Sequence, residues 1–454
     1  MKKASLTVLA ILVIIPMVLS ACATPAVETA EPVVEETEVA TEAPVVEETE
    51  VVLEPVKVGV IADLTGALAI YGVMIPRSFM TGMEYATGAA GSAGDVFDFA
   101  ATQENTFMLD GREIQVYVRD DGGLPENTTA VANELIDVVG VDFLVGSTSS
   151  SCTATLQEIA FDNQIPLIVA PAAANDITGK DFNEYTFRTS RNNYQDSINE
   201  CAALTENYSS FVTIAIDNTF GKGAAESFRD ACTLDGGVFV TDDIYAPADT
   251  TDFTPYMEQI ADTDAEAYIV AWAGSGFIPL VQAAADQGVN ETKELGTTFI
   301  DNILMPVFYS NAVGTTAGIL YHYSAPDNAI NDFLYDTLTT RYGVYPDLFD
   351  ADAMNAAIMI VEALKATNGD TDGATLVAAM EGMSFEGPKG LIEIRPEDHV
   401  AIQDMYILTL ENLTDPAFNF YSYVGTTRPE PPCLLTGDYV SRCGDLPVGS
   451  LSGE

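Results

Sequence analysis

Short, continuously apolar runs alternate with longer amphipathic stretches along most of the chain. The first run, VKVGVIA over 56–62, ends in Asp63 and a Leu-Thr-Gly turn, and a helical period follows over 74–87. The same rhythm predicts strands over 114–119, 143–145 and 167–170, with helices over 127–139 and 153–163 between them. After Phe187-Arg188-Thr189-Ser190 the pattern restarts. It predicts helix 192–207, strand 211–216, helix 223–235, strand 238–245, helix 254–262, strand 267–272 and helix 276–287. Unbroken apolar strands belong to parallel sheets covered on both faces, and the interleaved helices supply that cover. Two successive series predict an α/β fold of two doubly wound, mostly parallel-sheet lobes. In such sheets a ligand sits off the carboxyl ends of the strands, in the crevice.

The chain's ends depart from this rhythm. Lys2 and Lys3 precede an apolar run of ~14 residues, shorter than a bilayer span, which is the form of an export signal. It ends in Leu19-Ser20-Ala21-Cys22, which matches the bacterial lipobox, whose cysteine is acylated; the other reading is an ordinary signal peptide with a coincidental cysteine. The match places the protein, as an expectation, on the outer face of the cell membrane, held by lipid on Cys22. Residues 23–55 contain ten Glu and no Gly, aromatic or basic residue, and nearly repeat PVVEETEV. Such a segment buries too little apolar area to order itself and serves as an acidic tether, on the order of 30 Å long as a random coil.

Charge narrows the partners. There are 68 acidic residues against 18 basic ones, a formal net charge of −50. A polyanion repels nucleic acid and anionic lipid surfaces, and both are excluded as partners. The excess also suits a salty or divalent-rich exterior that screens self-repulsion. Export permits disulfides. Cys433 and Cys443 flank a turn-rich tail, Cys201 and Cys232 fall on successive predicted helices, and Cys152 is left as a small buried thiol.

Several segments resemble type 1 periplasmic binding proteins, the leucine/isoleucine/valine-binding branch that serves ABC importers. They are VKVGVIADLTGALAIYG, LDGREIQVYVRDDGGLPENTTAVANELI, DFLVGSTSSSCTATLQEIAFDNQIPLIVAPAAAN, FRTS and AIDNTFGKGAAESF, in the order and spacing of that family over roughly 56–412. The resemblance implies two lobes joined by three crossings near 187–190, 321–324 and 392–396. Lobe 1 is then 56–187 with 324–391, lobe 2 is 188–323 with 392–425, and the tail 426–454 lies outside. It also implies a monomer without cofactor that closes on a small branched-chain-like amino acid and delivers it to an ABC permease. The same fold serves ligand sensors that signal to a membrane partner, and nothing in the sequence separates the two.

Ser147-Thr148-Ser149-Ser150-Ser151 follows a buried strand and opens a helix, a place whose N–H groups and hydroxyls suit a carboxylate. Plain capping of the helix is the other role for serine there. By resemblance, Ser150 contacts the ligand carboxylate, with Thr148, Ser149 and Ser151 beside it. Ala172 offers its carbonyl to an ammonium, and Ala174 stands where the family has a threonine. Asp301 aligns with the acid that pairs with the ammonium, or else shapes an Asp–Asn turn. Phe220 replaces a family tyrosine. Trp272, the sole tryptophan, either faces the crevice or fills core, and Tyr71 is a further candidate wall. The departures at Ala174 and Phe220 keep an uncharged amide or urea open as ligand.

Enzyme motifs fail on inspection. Two histidines, His322 and His399, stand in separate contexts, which argues against a triad or a zinc site. Trp272-Ala273-Gly274-Ser275-Gly276 lacks the first glycine of a nucleophile elbow, and Glu226 takes the place of the third glycine of a dinucleotide fingerprint. Residues 368–373 resemble the start of a calcium loop, yet Ala379 stands where the bidentate Glu belongs. No cofactor, metal or catalysis is expected.

Overall fold

The computed structural model describes residues 53–89, 104–296 and 300–453; Cys22 and the tether up to residue 52 lie outside them. Six strands build the first sheet: β1 (Val56–Ala62), β2 (Glu104–Leu109), β3 (Arg112–Asp120), β4 (Phe143–Val145), β5 (Leu167–Val169) and β6 (Thr186–Arg188). Their order is β2-β3-β1-β4-β5-β6. All pairs are parallel except β2–β3, an antiparallel edge that the sequence pattern did not flag. Val58, Val60 and Ile61 of β1 are fully buried, as a centre strand with helices on both faces requires.

The second sheet contains β7 (Ser210–Ile216), β8 (Val238–Phe239), β9 (Ile244–Ala246), β10 (Ala267–Ala271) and β11 (Glu294–Gly296). Its order is β11-β10-β7-β8, with β9 also parallel to β7. The single strand expected over 238–245 is therefore two short ones. The intervening Thr241, Asp242 and Asp243 are polar and partly or fully exposed, and Asp243 leaves the sheet to accept a bond from Arg229 Nη2 at 2.5 Å. Two adjacent carboxylates have no buried face to occupy there.

Helix Met74–Thr87 packs along helix Asp350–Ala366. Gly82 makes that approach possible, because a Cβ there would stand 2.7 Å from Ala357 Cβ and 2.8 Å from the Met354 carbonyl oxygen. Further on, β12 (Thr316–Ile319), β16 (Met405–Leu410) and β17 (Tyr421–Thr427) form an antiparallel sheet. Between them in sequence, β13 (Ser384–Gly387), β14 (Gly390–Ile394) and β15 (Ala401–Ile402) form another. Arg188 N–H donates to the His399 carbonyl at 3.0 Å, so the segment leaving β6 runs beside the one after β14.

Cys201 and Cys232 are joined by a disulfide that ties helix Asn193–Leu204 to helix Thr219–Leu234. A second disulfide joins Cys433 to Cys443 in the tail, and Cys152 is free and buried. The tail packs its disulfide against Phe182 and reaches helix Thr219–Leu234, where Leu451 N–H donates to Asp230 at 2.7 Å.

Candidate functional site

A cleft of about 520 Å³ lies off the carboxyl ends of both parallel sheets. Residues just past β1, β4, β5 and β6 line one side; residues just past β7 and β10 line the other. The loop after β1 is shaped by Asp63, whose two oxygens accept the N–H groups of Gly66 at 2.5 Å and Leu68 at 2.9 Å. That turn delivers Tyr71 to the cleft, edge-on to Phe349 with ring centroids 5.3 Å apart. Burial, with Asp301 and Asp347 nearby, keeps the Tyr71 phenol protonated far above its ordinary range.

Thr148, Ser149, Ser150 and Ser151 all line the cleft at the start of helix Ser150–Asp162. Ser149 occupies the cap position in extended conformation, yet its side chain makes no capping bond. Its hydroxyl instead meets that of Ser151 at 2.9 Å. Thr148 Oγ1 accepts the Asp63 N–H at 3.0 Å and Ser150 Oγ accepts the Ala174 N–H at 3.2 Å, which brace the loop. The N–H groups of a helix's first turn lack intrahelical acceptors and carry partial positive charge. Here the Ser149 side chain does not cap them, and the helix start opens on the cleft. The Cys152 thiol one residue on is pushed up to about 11 by burial, so it stays protonated at neutral pH.

The loop after β5 is held by two arginines. Arg188, fully buried, donates from Nη1 to the Ala172 carbonyl and from Nη2 to the Ala174 carbonyl at 2.8 Å. Burial, and then the neighbouring Arg191, bring its pKa down to about 9, which leaves it charged at neutral pH. Arg191 donates from Nη1 to the Pro171 carbonyl at 2.6 Å and from Nε to Asp196 at 3.2 Å, and its guanidinium carbon stands 5.0 Å from the Phe349 ring centroid. Ala172 lines the cleft; Ala174, 1% exposed, does not. Behind them Lys389 and Asp352 are fully buried, burial bringing the first down to about 8 and the second up to about 6.

On the opposite side Phe220 and Trp272 both line the cleft. Trp272 stands edge-on to Phe253, 4.9 Å between centroids, and its indole nitrogen would lie 2.5 Å from a Cβ at Gly276, so that glycine gives the ring its seat. Asp301 is placed differently. It is fully buried and absent from the lining, although its neighbour Ile300 is present. One carboxylate oxygen accepts the Leu304 N–H at 3.0 Å, as an Asp turn does, and the other has no hydrogen-bond partner among the described residues. Burial raises its pKa. The adjacent Asn302 N–H donates to Asp347 at 3.0 Å, and burial together with Asp301 pushes the Asp347 carboxyl up to about 7.

Sequence reasoning passed over Arg191 and Phe349. Arg191 directly follows the FRTS segment, and in a chain with 18 basic residues a cation at a strand end is a signal. Phe349 precedes a helix remote in sequence, and no local pattern points from it to the cleft.

Residues 55–415 match the family described as periplasmic binding protein. Leu/Ile/Val-binding protein homolog 6 of Brucella melitensis is 27% identical over 376 residues, covering 79% of this chain and 88% of that protein. Among solved structures, an ABC-type branched-chain amino acid transporter from Rhodopseudomonas palustris is 31% identical with a TM-score of 0.68, over 82% of this chain and 97% of that one. A solute binding protein of an ABC transporter from Rhodopseudomonas palustris BisB5, in complex with 3,4-dihydroxy benzoic acid, is 25% identical with a TM-score of 0.68, over 83% and 98%. With a family match over most of its length and both parallel sheets ending at one cleft, the chain belongs to the periplasmic binding protein family, branched-chain amino acid-binding type, and is a solute-binding protein of an ABC transporter.

Proposed function

We propose that this protein, anchored by lipid on Cys22 and spaced from the membrane by its acidic tether, captures a small solute bearing a carboxylate and delivers it to its permease. The observation that carries this is the uncapped helix start of Ser149, Ser150 and Ser151, which opens on a cleft walled by the rings of Trp272, Phe220 and Phe349. The carboxylate sits at the helix start and the apolar body between the rings, where π-faces and aliphatic carbon pack equally well. Lobe 1 (56–187 with 324–391) and lobe 2 (188–323 with 392–425) hinge at the crossings, and the ligand favours the closed form because only there do both lobes touch it. The names of the relatives support a branched-chain amino acid; the structure in complex with 3,4-dihydroxy benzoic acid supports an aromatic acid.

A thermal-shift comparison of acids with their own amides tests this. Leucine against leucinamide, benzoate against benzamide and 4-methylpentanoate against its amide keep the body constant. At a hundred times its dissociation constant a bound acid adds about 2.7 kcal/mol of stability, and its amide adds little. Amides that stabilise as strongly as their acids contradict the proposal.

A further inference from the structure

We infer that Arg191 is a specificity-determining residue that bars an α-ammonium from the cleft, so that the ligand is a carboxylate without a free amino group; this rests on the carboxylate proposal above. An ammonium in a closed cleft needs acceptors or a carboxylate of its own. Of the carbonyls in the loop beside the helix start, those of Pro171, Ala172 and Ala174 each accept a guanidinium N–H from Arg191 or Arg188, and that of Ala173 accepts the Asn193 N–H at 2.9 Å. Among the described residues the lining holds two acids, Asp63 and Asp196. Both oxygens of Asp63 are taken by backbone N–H groups, and Asp196 is paired with Arg191. Asp301 lies off the lining altogether.

Arg191 lies with Arg188, Lys389, Asp196 and Asp352 in one buried cluster that Asp404 and the Arg395–Asp398 pair adjoin. Of the guanidinium nitrogens of Arg191, Nε and Nη1 have protein acceptors, while Nη2 donates to no atom among the described residues. Held by Pro171, Asp196 and the Phe349 ring, it is a fixed cation with open donors at the cleft wall. It favours a ligand oxygen and repels an ammonium.

Calorimetry at neutral pH with leucine and 4-methylpentanoate isolates the ammonium, since the two share a carbon skeleton; phenylalanine and 3-phenylpropanoate repeat the comparison with a ring. The deamino acid of each bound pair is expected to bind about tenfold tighter or more, the like-charge penalty being absent. Arg191→Gln should narrow that gap to about threefold or less, while Arg191→Lys, which keeps the charge, should retain it. A purely structural arginine would weaken both members of a pair together and leave their ratio unchanged. An amino acid that binds tighter than its deamino partner in the unmodified protein, or a ratio unmoved in Arg191→Gln, overturns the inference. If in addition the acids outbind their amides, the carboxylate proposal survives that failure; if amides bind as well as acids, or all four acids fail at millimolar concentration, both fall.

Discussion

Asp350→Ala should destabilise the folded chain by about 3–5 kcal/mol, the cost of leaving a buried charge without its partner. Asp350 is fully buried at the start of helix Asp350–Ala366, where a negative charge also suits the helix dipole. Its carboxylate accepts from Arg77 Nε at 2.8 Å and Nη2 at 2.5 Å, from the Ser78 hydroxyl, and from the Asp347 N–H at 2.7 Å. Arg77 and Ser78 stand on helix Met74–Thr87, so one side chain pins together two helices that are far apart in sequence. Urea unfolding measures the loss. A cost below about 1 kcal/mol would put the pair in the class of exposed ion pairs and remove its role in holding these helices together.

Glu200→Gln should change stability little near pH 5 and raise it by about 3–5 kcal/mol near pH 8–9. Glu200 is fully buried on helix Asn193–Leu204; one oxygen accepts the Gly318 N–H at 2.5 Å and the other has no partner among the described residues. Burial pushes its carboxyl up to about 8 against the opposing effect of the Gly318 N–H. An unfolded glutamate titrates near 4.5. Between those values the folded chain holds a proton that the unfolded chain has released. The contribution to stability is therefore whole below about pH 4.5, falls as pH rises through the window, and levels off above about 8. Glutamine cannot ionise and escapes the fall. Asp347 and Asp352, also raised, slope the same way, so the quantity to read is the difference between variant and parent from urea midpoints at each pH. Parallel pH profiles would contradict a buried, proton-bearing Glu200.

The frame was legible because parallel strands are apolar on both faces and announce themselves as unbroken runs. Val56–Ala62, Phe143–Val145 and helix Met74–Thr87 fall where periodicity put them. The misses have local causes. β2 is an edge strand with a polar start, and the Thr241-Asp242-Asp243 stretch cannot be buried, so 238–245 breaks in two. Within the site, residues carried at strand ends were readable: Ser149, Ser150 and Ser151 after β4, Phe220 after β7 and Trp272 after β10 all reach the cleft. Asp301 illustrates the limit. An aspartate after a strand can face a ligand or cap its own turn, and only the fold shows that one oxygen is given to Leu304. Arg191 and Phe349 meet through a cation–π contact between residues 158 positions apart, which no window of sequence contains.

The most direct test is a crystal structure with the tightest-binding acid from the acid–amide comparison. The expected density places the ligand carboxylate against the N–H groups of Ser150 and Ser151, within about 3 Å, with its apolar body between Trp272, Phe220 and Phe349. A ligand seated outside this cleft, or one whose carboxylate points away from the helix start, would contradict it.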